Sequence, residues 1–341
     1  MICVALSFVS DPVRVRAPAT SANLGPGFDC LGLALGLYDD VAAWVTDEGC
    51  RVEVTGEGAV DLPTDDRHLV VRAMATTFDA LGGRPPGLAL ECVNRIPQAR
   101  GLGSSSAAIV AGVLLARGLV AGGTDLLDDA GALRIAAGIE GHPDNVAPCL
   151  LGGFTIAWTE PTNTAPAAAT PANTAPAAAT PANTASPARA VRLTPAAAVH
   201  PTVFVPDERG LTAAARAALP ATVPHADAAL TAGRAALLVH ALTKAPELLF
   251  PATEDRLHQD YRAAGMPATA ALVAALRGAG VAAVVSGAGP TVLALTPIPE
   301  DFQAGMGWTV RELPVPDSGA RLAWGRLGHA ERDTVAAGRK S

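Results

Sequence analysis

Apolar positions along the chain recur with two periods. Strand-length runs in which they alternate or cluster occupy Val13–Ala17, Arg51–Thr55 and Leu88–Val93. Longer runs with three- and four-residue spacing predict helices over Leu69–Leu81, Ser106–Val120, Leu126–Ile139 and Ala235–Leu242. Further along, Pro267–Ala279 has a helical pattern, Val281–Val285 reads as a buried strand, and the glycine turn Ser286–Pro290 leads into Thr291–Leu295. A strand–turn–strand with glycines at its tip brings backbone close to a ligand. The strand-like GGFTIAW and ARAVRL segments predict a hairpin. Glycine and proline turns separate the elements, so the pattern implies a mixed α/β or α+β chain.

The tip of that hairpin breaks the pattern. NTAPAAATPA occupies Asn163–Ala172, repeats at Asn173–Ala182, and begins again at Asn183. Such a stretch has nothing to bury and too many prolines for a helix, so it predicts an extended, solvated loop. The remaining length suffices for two domains, since the chain has 341 residues. Half of the residues are hydrophobic but only 4% are aromatic, so the core is built from Val, Leu, Ile and Ala. A net charge of −7, without a Lys/Arg cluster, argues against nucleic acid as a partner. No apolar run has the length of a membrane span. Cys3, Cys30, Cys50, Cys92 and Cys149 form no paired motif, which fits free thiols in a reducing cytoplasm. The first ten residues read as a ragged extension rather than a signal peptide, because a basic start is missing and Asp11 and Pro12 follow.

Chemistry concentrates in RIPQARGLGSSSAAIVA, Arg95 to Ala111. Gly101 and Gly103 bracket a short loop, Ser104, Ser105 and Ser106 follow, and a helix-like run begins at Ala107. Glycines let amides approach a phosphate, and a helix N-terminus offers free N–H groups with a positive dipole end. Standing alone, the segment also reads as a loop that merely caps a helix. No Lys follows the second glycine, so it is not the common P-loop.

Four segments in order resemble the homoserine kinases of the GHMP small-molecule kinase superfamily. They are PATSANLGPGFDCLGLAL at Pro18–Leu35, IPQARGLGSSSAA at Ile96–Ala108, EGHPDNVAPCLLGGF at Glu140–Phe154, and SGAGPT at Ser286–Thr291. The resemblance implies an α+β, two-domain GHMP kinase fold, with an N-terminal domain like domain 2 of ribosomal protein S5 and a ferredoxin-like C-terminal domain. It divides the chain into an ATP-binding domain over 13–160, a Pro/Ala/Thr insertion over 161–190 and a C-terminal domain over 191–330. The implied reaction is transfer of phosphate from ATP, with Mg2+, to the hydroxyl of L-homoserine, and the implied assembly is a homodimer. A related kinase for another small alcohol, or a nucleotide-binding module without turnover, are the alternatives.

Residue roles follow from the resemblance. Pro97, Gln98, Ala99, Arg100, Gly101, Leu102, Gly103, Ser104, Ser105, Ser106 and Ala107 are implied to bind ATP. Glu140 and Ser105 are implied to hold magnesium, and Asn145 to act with them at the transferring phosphate. Asn23, Asp29, His142, Arg216, Arg256 and Gly287 are implied to bind the substrate. Several of these residues also have simpler readings. Asn23 and Asp29 flank a Gly-Pro-Gly turn, where a carboxylate suits an ammonium group but Asx residues also satisfy their own backbone. His142 has the pKa range of a general base, yet a histidine beside Pro143 in a turn is more often structural, and the family uses its equivalent for substrate contact. A guanidinium fork at Arg216 and Arg256 matches a carboxylate, though either can pair with Glu208 or Glu254 instead. His68 stands where the family has Asn near the adenine, and Leu211 where it has Ser. No base is implied for the reaction, the phosphate itself receiving the hydroxyl proton.

Overall fold

The computed structural model describes residues 6–160, 187–210 and 212–328. The Pro/Ala/Thr repeat and Leu211 lie outside the described residues. Two sheets organise the chain. The first holds β1 (Val13–Asn23), β2 (Gly27–Thr46), β3 (Gly49–Gly56), β4 (Gly87–Asn94), β5 (Phe154–Thr159) and β6 (Ala188–Leu193). The second is antiparallel and holds β7 (Thr202–Pro206), β8 (Ala283–Val285), β9 (Val292–Ala294) and β10 (Trp308–Glu312). β11 (Arg321–Trp324) then returns to the first sheet beside β1, giving the order β11-β1-β2-β4-β3 with β5 and β6 added on β2.

The second sheet has the order β10-β7-β9-β8. Numbered by its own strands this is 4-1-3-2, the antiparallel ferredoxin-like order, although no helix lies between β9 and β10. The expected division at residue 191 therefore separates the sheets only in part, because β6 and β11 pair within the first. The predicted hairpin is present: Phe154 pairs with Leu193 and Thr159 with Ala188.

Helices follow their caps. α1 (Leu69–Leu81) starts at His68, whose Nδ1 accepts from Val70 N at 3.3 Å, and ends at Gly82 with φ 104°. α2 (Ser104–Leu119) is apolar nearly all round and is buried from Ser106 to Leu119 almost without interruption, as a central helix must be. The run predicted over Leu126–Ile139 is broken into α3 (Gly123–Leu126) and α4 (Asp129–Glu140), because Asp128 accepts from Gly131 N and restarts the helix. α5 (Pro143–Leu151) has proline at its first position, where the missing N–H costs no bond. α6 (Thr212–Ala217), α7 (His225–Thr243), α8 (Leu249–Ala252), α9 (Gln259–Arg262) and α10 (Pro267–Gly278) follow β7 in the chain, and α10 packs on the second sheet. Among the described residues no helix is long and apolar enough to cross a membrane, and Cys30, Cys50, Cys92 and Cys149 are unpaired.

Candidate active site

The loop from β4 into α2 is inverted by ties on its far side. Ala99 O accepts from Gly210 N, Arg100 O from Thr291 N, Gly101 O from Ser286 Oγ, and Leu102 O from Thr20 N. Four successive carbonyls are thus engaged, while the amides from Ala99 to Gly103 have no protein acceptor among the described residues. Gly101 and Gly103 have φ of +77° and +70°. A Cβ on Gly101 would meet Ser286 O at 2.3 Å, and one on Gly103 would meet Thr20 Oγ1 at 1.9 Å, so only glycine fits either place. No side chain caps α2, and its first-turn N–H groups are open to an anion. Upstream, Asp39 Oδ1 accepts from Arg95 N at 2.6 Å and Ile96 N at 2.9 Å, fixing where the loop leaves β4. Burial pushes the Asp39 carboxyl up to about 7, against the lowering effect of those two amides.

Glu140, the last residue of α4, faces that helix start. Ser105 Oγ donates to Glu140 Oε2 at 2.9 Å and Ser106 Oγ donates to Oε1 at 3.0 Å. Asn145 on α5 accepts at Oδ1 from Thr20 Oγ1 at 2.9 Å, which leaves its NH2 without a protein partner among the described residues.

The other end of the cleft is ionic. Asn23, Leu24, Gly25 and Asp29 all have positive φ, so the Gly-Pro-Gly turn is tightly wound. Asn23 Oδ1 accepts from Asp29 N at 3.0 Å and its Nδ2 donates to Gly287 O at 2.8 Å, stapling this turn to the SGAGP turn. Asp29 takes a two-pronged bond from Arg216 on α6, at 3.0 and 2.8 Å. That bond raises the Arg216 pKa. Arg262, at the end of α9, lines the same cleft but among the described residues donates only to Ala215 O, Gly287 O and His258 Nδ1, none of them a carboxylate. Burial lowers its pKa, and the charge of Arg216 adds to that. Both guanidiniums lie near the Phe28 ring, 5.6 Å away for Arg216 and 5.3 Å for Arg262. His142 pairs through Nδ1 with the buried Asp144. Burial pulls its pKa down, but the Asp144 bond and the charges of Asp144, Glu140 and Asp29 outweigh it, and the net direction is up.

The cleft thus has a loop of free amides at one end and paired opposite charges at the other. The GHMP kinases N terminal domain matches residues 68–153 and the GHMP kinases C terminal domain residues 228–304. The chain is 54% identical to the homoserine kinase of Streptomyces coelicolor over 93% of its own length and 96% of that protein's. The chain belongs to the homoserine kinases. The homoserine kinase of Mycolicibacterium smegmatis is 45% identical, with 90% and 92% covered. The crystal structure of homoserine kinase from Cytophaga hutchinsonii superposes with a TM-score of 0.73 at 25% identity, covering 94% of this chain and all of that one. A mevalonate diphosphate decarboxylase from Staphylococcus aureus shares the fold, at 14% identity and a TM-score of 0.58.

Residues nominated by the homoserine-kinase motifs divide under the geometry. Asn23, Asp29, Pro97, Ala99, Arg100, Gly101, Leu102, Gly103, Ser104, Ser105, Glu140, His142, Asn145, Arg216 and Gly287 line one cleft. Gln98, Ser106 and Ala107 do not: Gln98 reaches back to Glu57 O, Ser106 is buried on Glu140, and Ala107 is buried under the loop. The Arg100 guanidinium bonds Pro206 O, Asp207 O and Gln98 O, so its side chain braces the loop. Arg256 is not brought to the cleft: its exposed guanidinium pairs with Glu254, which Arg234 also holds. Arg262, which sequence reasoning did not nominate, lines it instead. Sequence reasoning also missed Thr20 and Asp144. Asp144 lay inside the quoted third motif, and Arg262 was signalled by sitting four residues after His258, on one face of a helical turn.

Proposed function

We propose that the chain transfers the terminal phosphoryl group of ATP to the side-chain hydroxyl of L-homoserine, giving O-phospho-L-homoserine and ADP on the way to threonine. The observation that carries this reading is the two-ended cleft, with the inverted loop at one end, Asp29, Arg216 and Arg262 at the other, and Asn145 between them. An α-ammonium group suits Asp29, and an α-carboxylate suits the two guanidiniums, of which Arg262 has no carboxylate partner. A zwitterion entering between Asp29 and Arg216 supplies each with a replacement for the other, so the ion pair of the free protein is exchanged rather than lost.

Loop amides and the α2 N-terminus cradle the phosphates, and Ala99 to Gly103 hold them against the tied second sheet. The donor set fits magnesium: Glu140 and the Ser105 hydroxyl are hard oxygens in contact, and no third protein acid, His or Cys joins a cluster there among the described residues. Glu140 and Ser105 would hold the cation together with phosphate and water oxygens, and bound Mg2+ supplies charge neutralisation at the transferring group. The Asn145 NH2, oriented by Thr20, is free to bond the acceptor hydroxyl or a phosphate oxygen. The proposed reaction uses no protein base: the hydroxyl proton passes to the phosphate oxygens, since a loose transition state needs little activation of the nucleophile. Positioning and charge stabilisation then supply the rate.

A coupled ADP-release assay tests the reading. Turnover is expected with L-homoserine and magnesium, and far less with mevalonate, galactose or shikimate or without the metal. Turnover of mevalonate in place of homoserine would sink the substrate assignment. A cytoplasmic homodimer is part of the same proposal. Sedimentation equilibrium showing only the 34.3 kDa monomer would remove the dimer.

A further inference from the structure

His258 is fully buried and does no chemistry in the reaction above, yet it touches both halves of the substrate end. Its Nε2 lies 2.8 Å from Gly25 O, in the Gly-Pro-Gly turn that presents Asp29. Its Nδ1 lies 3.1 Å from an Nη1 of Arg262, one helical turn onward. These two partners fix the tautomer. A carbonyl oxygen only accepts, so Nε2 carries the proton; a guanidinium only donates, so Nδ1 carries the lone pair. An imidazolium would set N–H against N–H at Arg262. We infer that His258 is a positioning residue for phosphoryl transfer: its neutral Nε2–H ring locks Arg262 to the Gly25 turn and so aims the free end of the guanidinium at the substrate carboxylate.

The surroundings support a neutral ring. The nearest carboxylate oxygen, Asp255 Oδ2, is 3.5 Å from Nε2, and Asp255 already accepts from the backbone N–H groups of Leu257, His258 and Gln259. The charged groups around the ring and its partner are Asp29 from β2, Asp144 from α5, Arg216 from α6, Asp255 just before α9, and Arg262 on α9 itself. Burial and the Arg262 charge outweigh the acids, and the His258 pKa is lowered. Phe28 completes the lock, with its ring 5.2 Å from the imidazole and beside both guanidiniums. The turn is closely packed at this point, where a Cβ at Gly25 would lie 2.7 Å from Thr253 O. With Arg262 Nε on Ala215 O and Nη1 on His258 and Gly287 O, Nη2 alone has no protein partner among the described residues.

Acid should therefore act on substrate binding. Protonating His258 breaks its bond to Arg262 and adds a like charge, so KM for homoserine rises in acid, below the ordinary histidine range, while KM for ATP does not follow. The inference rests on Arg262 binding the carboxylate, and the experiment separates the two ideas. KM for each substrate is measured from pH 5.5 to 8.5 in the wild type, His258→Leu, His258→Asn and Arg262→Leu. His258→Leu removes the acceptor and should raise KM for homoserine roughly tenfold or more at pH 7.5, with KM for ATP unchanged. His258→Asn keeps an acceptor near Nδ1 that cannot be protonated, so it should stay within about threefold of wild type and lose the acid limb. Should Arg262→Leu leave KM for homoserine unchanged, the carboxylate reading falls. A normal KM in His258→Leu beside a raised one in Arg262→Leu overturns the His258 role alone. Nitrogen-15 NMR of the wild-type ring decides the matter even where a variant does not fold. The Nε2–H neutral form at pH 7.5 supports the lock; the Nδ1–H tautomer or an imidazolium overturns it.

Discussion

Two arginines six residues apart have opposite fates. Arg256 lies before α9 and swings to Glu254 at the surface, whereas Arg262 closes α9 and turns inward onto His258. Arg216→Leu and Arg262→Leu should each raise KM for homoserine by the loss of a charge-assisted partner, on the order of 2–5 kcal/mol. Arg256→Leu should stay close to wild type in steady-state kinetics; a large effect there would reverse the assignment. The residue types came with the motifs that resemble homoserine kinases, since the residues alone read as well as surface arginines; which arginine enters depends on where a four-residue helix begins, and no periodicity marks that. Thr20 escaped notice for a similar reason, since its role is a hydroxyl handed to Asn145 across 125 positions of chain. Asp39 gives a pH prediction. Its folded pKa of about 7 lies above the ordinary 3.8, so between these values the folded state binds more protons than the unfolded chain. Stability contributed by the protonated form is complete below pH 3.8 and is lost as pH rises toward 7, by on the order of a few kcal/mol. Asp39→Asn keeps an acceptor for Arg95 N and Ile96 N without the charge. Its melting temperature should fall less than that of wild type between pH 4.5 and 7.5, and parallel curves for the two proteins would refute the assignment.

At the scale of elements, what the pattern predicted was set locally, and what it missed was set by packing. α1 matches its predicted bounds because an amphipathic run is closed by His68 and Gly82. α7 extends ten residues before the predicted Ala235, where an Ala-rich stretch has weak periodicity yet high helix propensity. The long β2 was hidden because it continues straight out of the Gly-Pro-Gly turn, and its register against β1 shifts between Pro18 and Ala19 and again between Ala22 and Asn23. The β5–β6 hairpin was visible, and its pairing runs unbroken from Phe154–Leu193 to Thr159–Ala188. Closing a loop depends only weakly on its length, at about 0.6 kcal/mol per doubling. Deleting Thr164–Ala185 should therefore leave the melting temperature and kcat/KM for both substrates near wild-type values, as thermal melts and the ADP assay would record. Loss of ATP binding on deletion would show that the repeat takes part in the site.

For the whole molecule, the decisive fact is that the two sheets share a core. Val203 and Val205 of β7, Leu293 of β9, and Leu238 and Leu242 of α7 are packed in the same buried cluster as Leu33, Val146 and Phe154. Only the far face of the second sheet has apolar packing of its own, around Phe204, Leu272, Leu276 and Val292. Alternation along β7 explains the split, since Val203 and Val205 point one way and Phe204 the other. The cleft lies on this shared core, and the ties from Ser286, Gly287 and Thr291 to the first-sheet turns leave its two walls little freedom to separate. A second sheet with so small a private core cannot melt alone without exposing the common one. Thermal or urea unfolding should accordingly be one transition, coincident by far-UV and near-UV circular dichroism, in spite of two family domains and two sheets. Saturating MgATP with a non-reacting homoserine analogue at about a hundred times their dissociation constants should move that single transition upward by about 2.7 kcal/mol for each ligand bound. Two resolved transitions, with one of them insensitive to ligand, would mean that the sheets fold as separate domains and that the shared cluster is not what holds the cleft together.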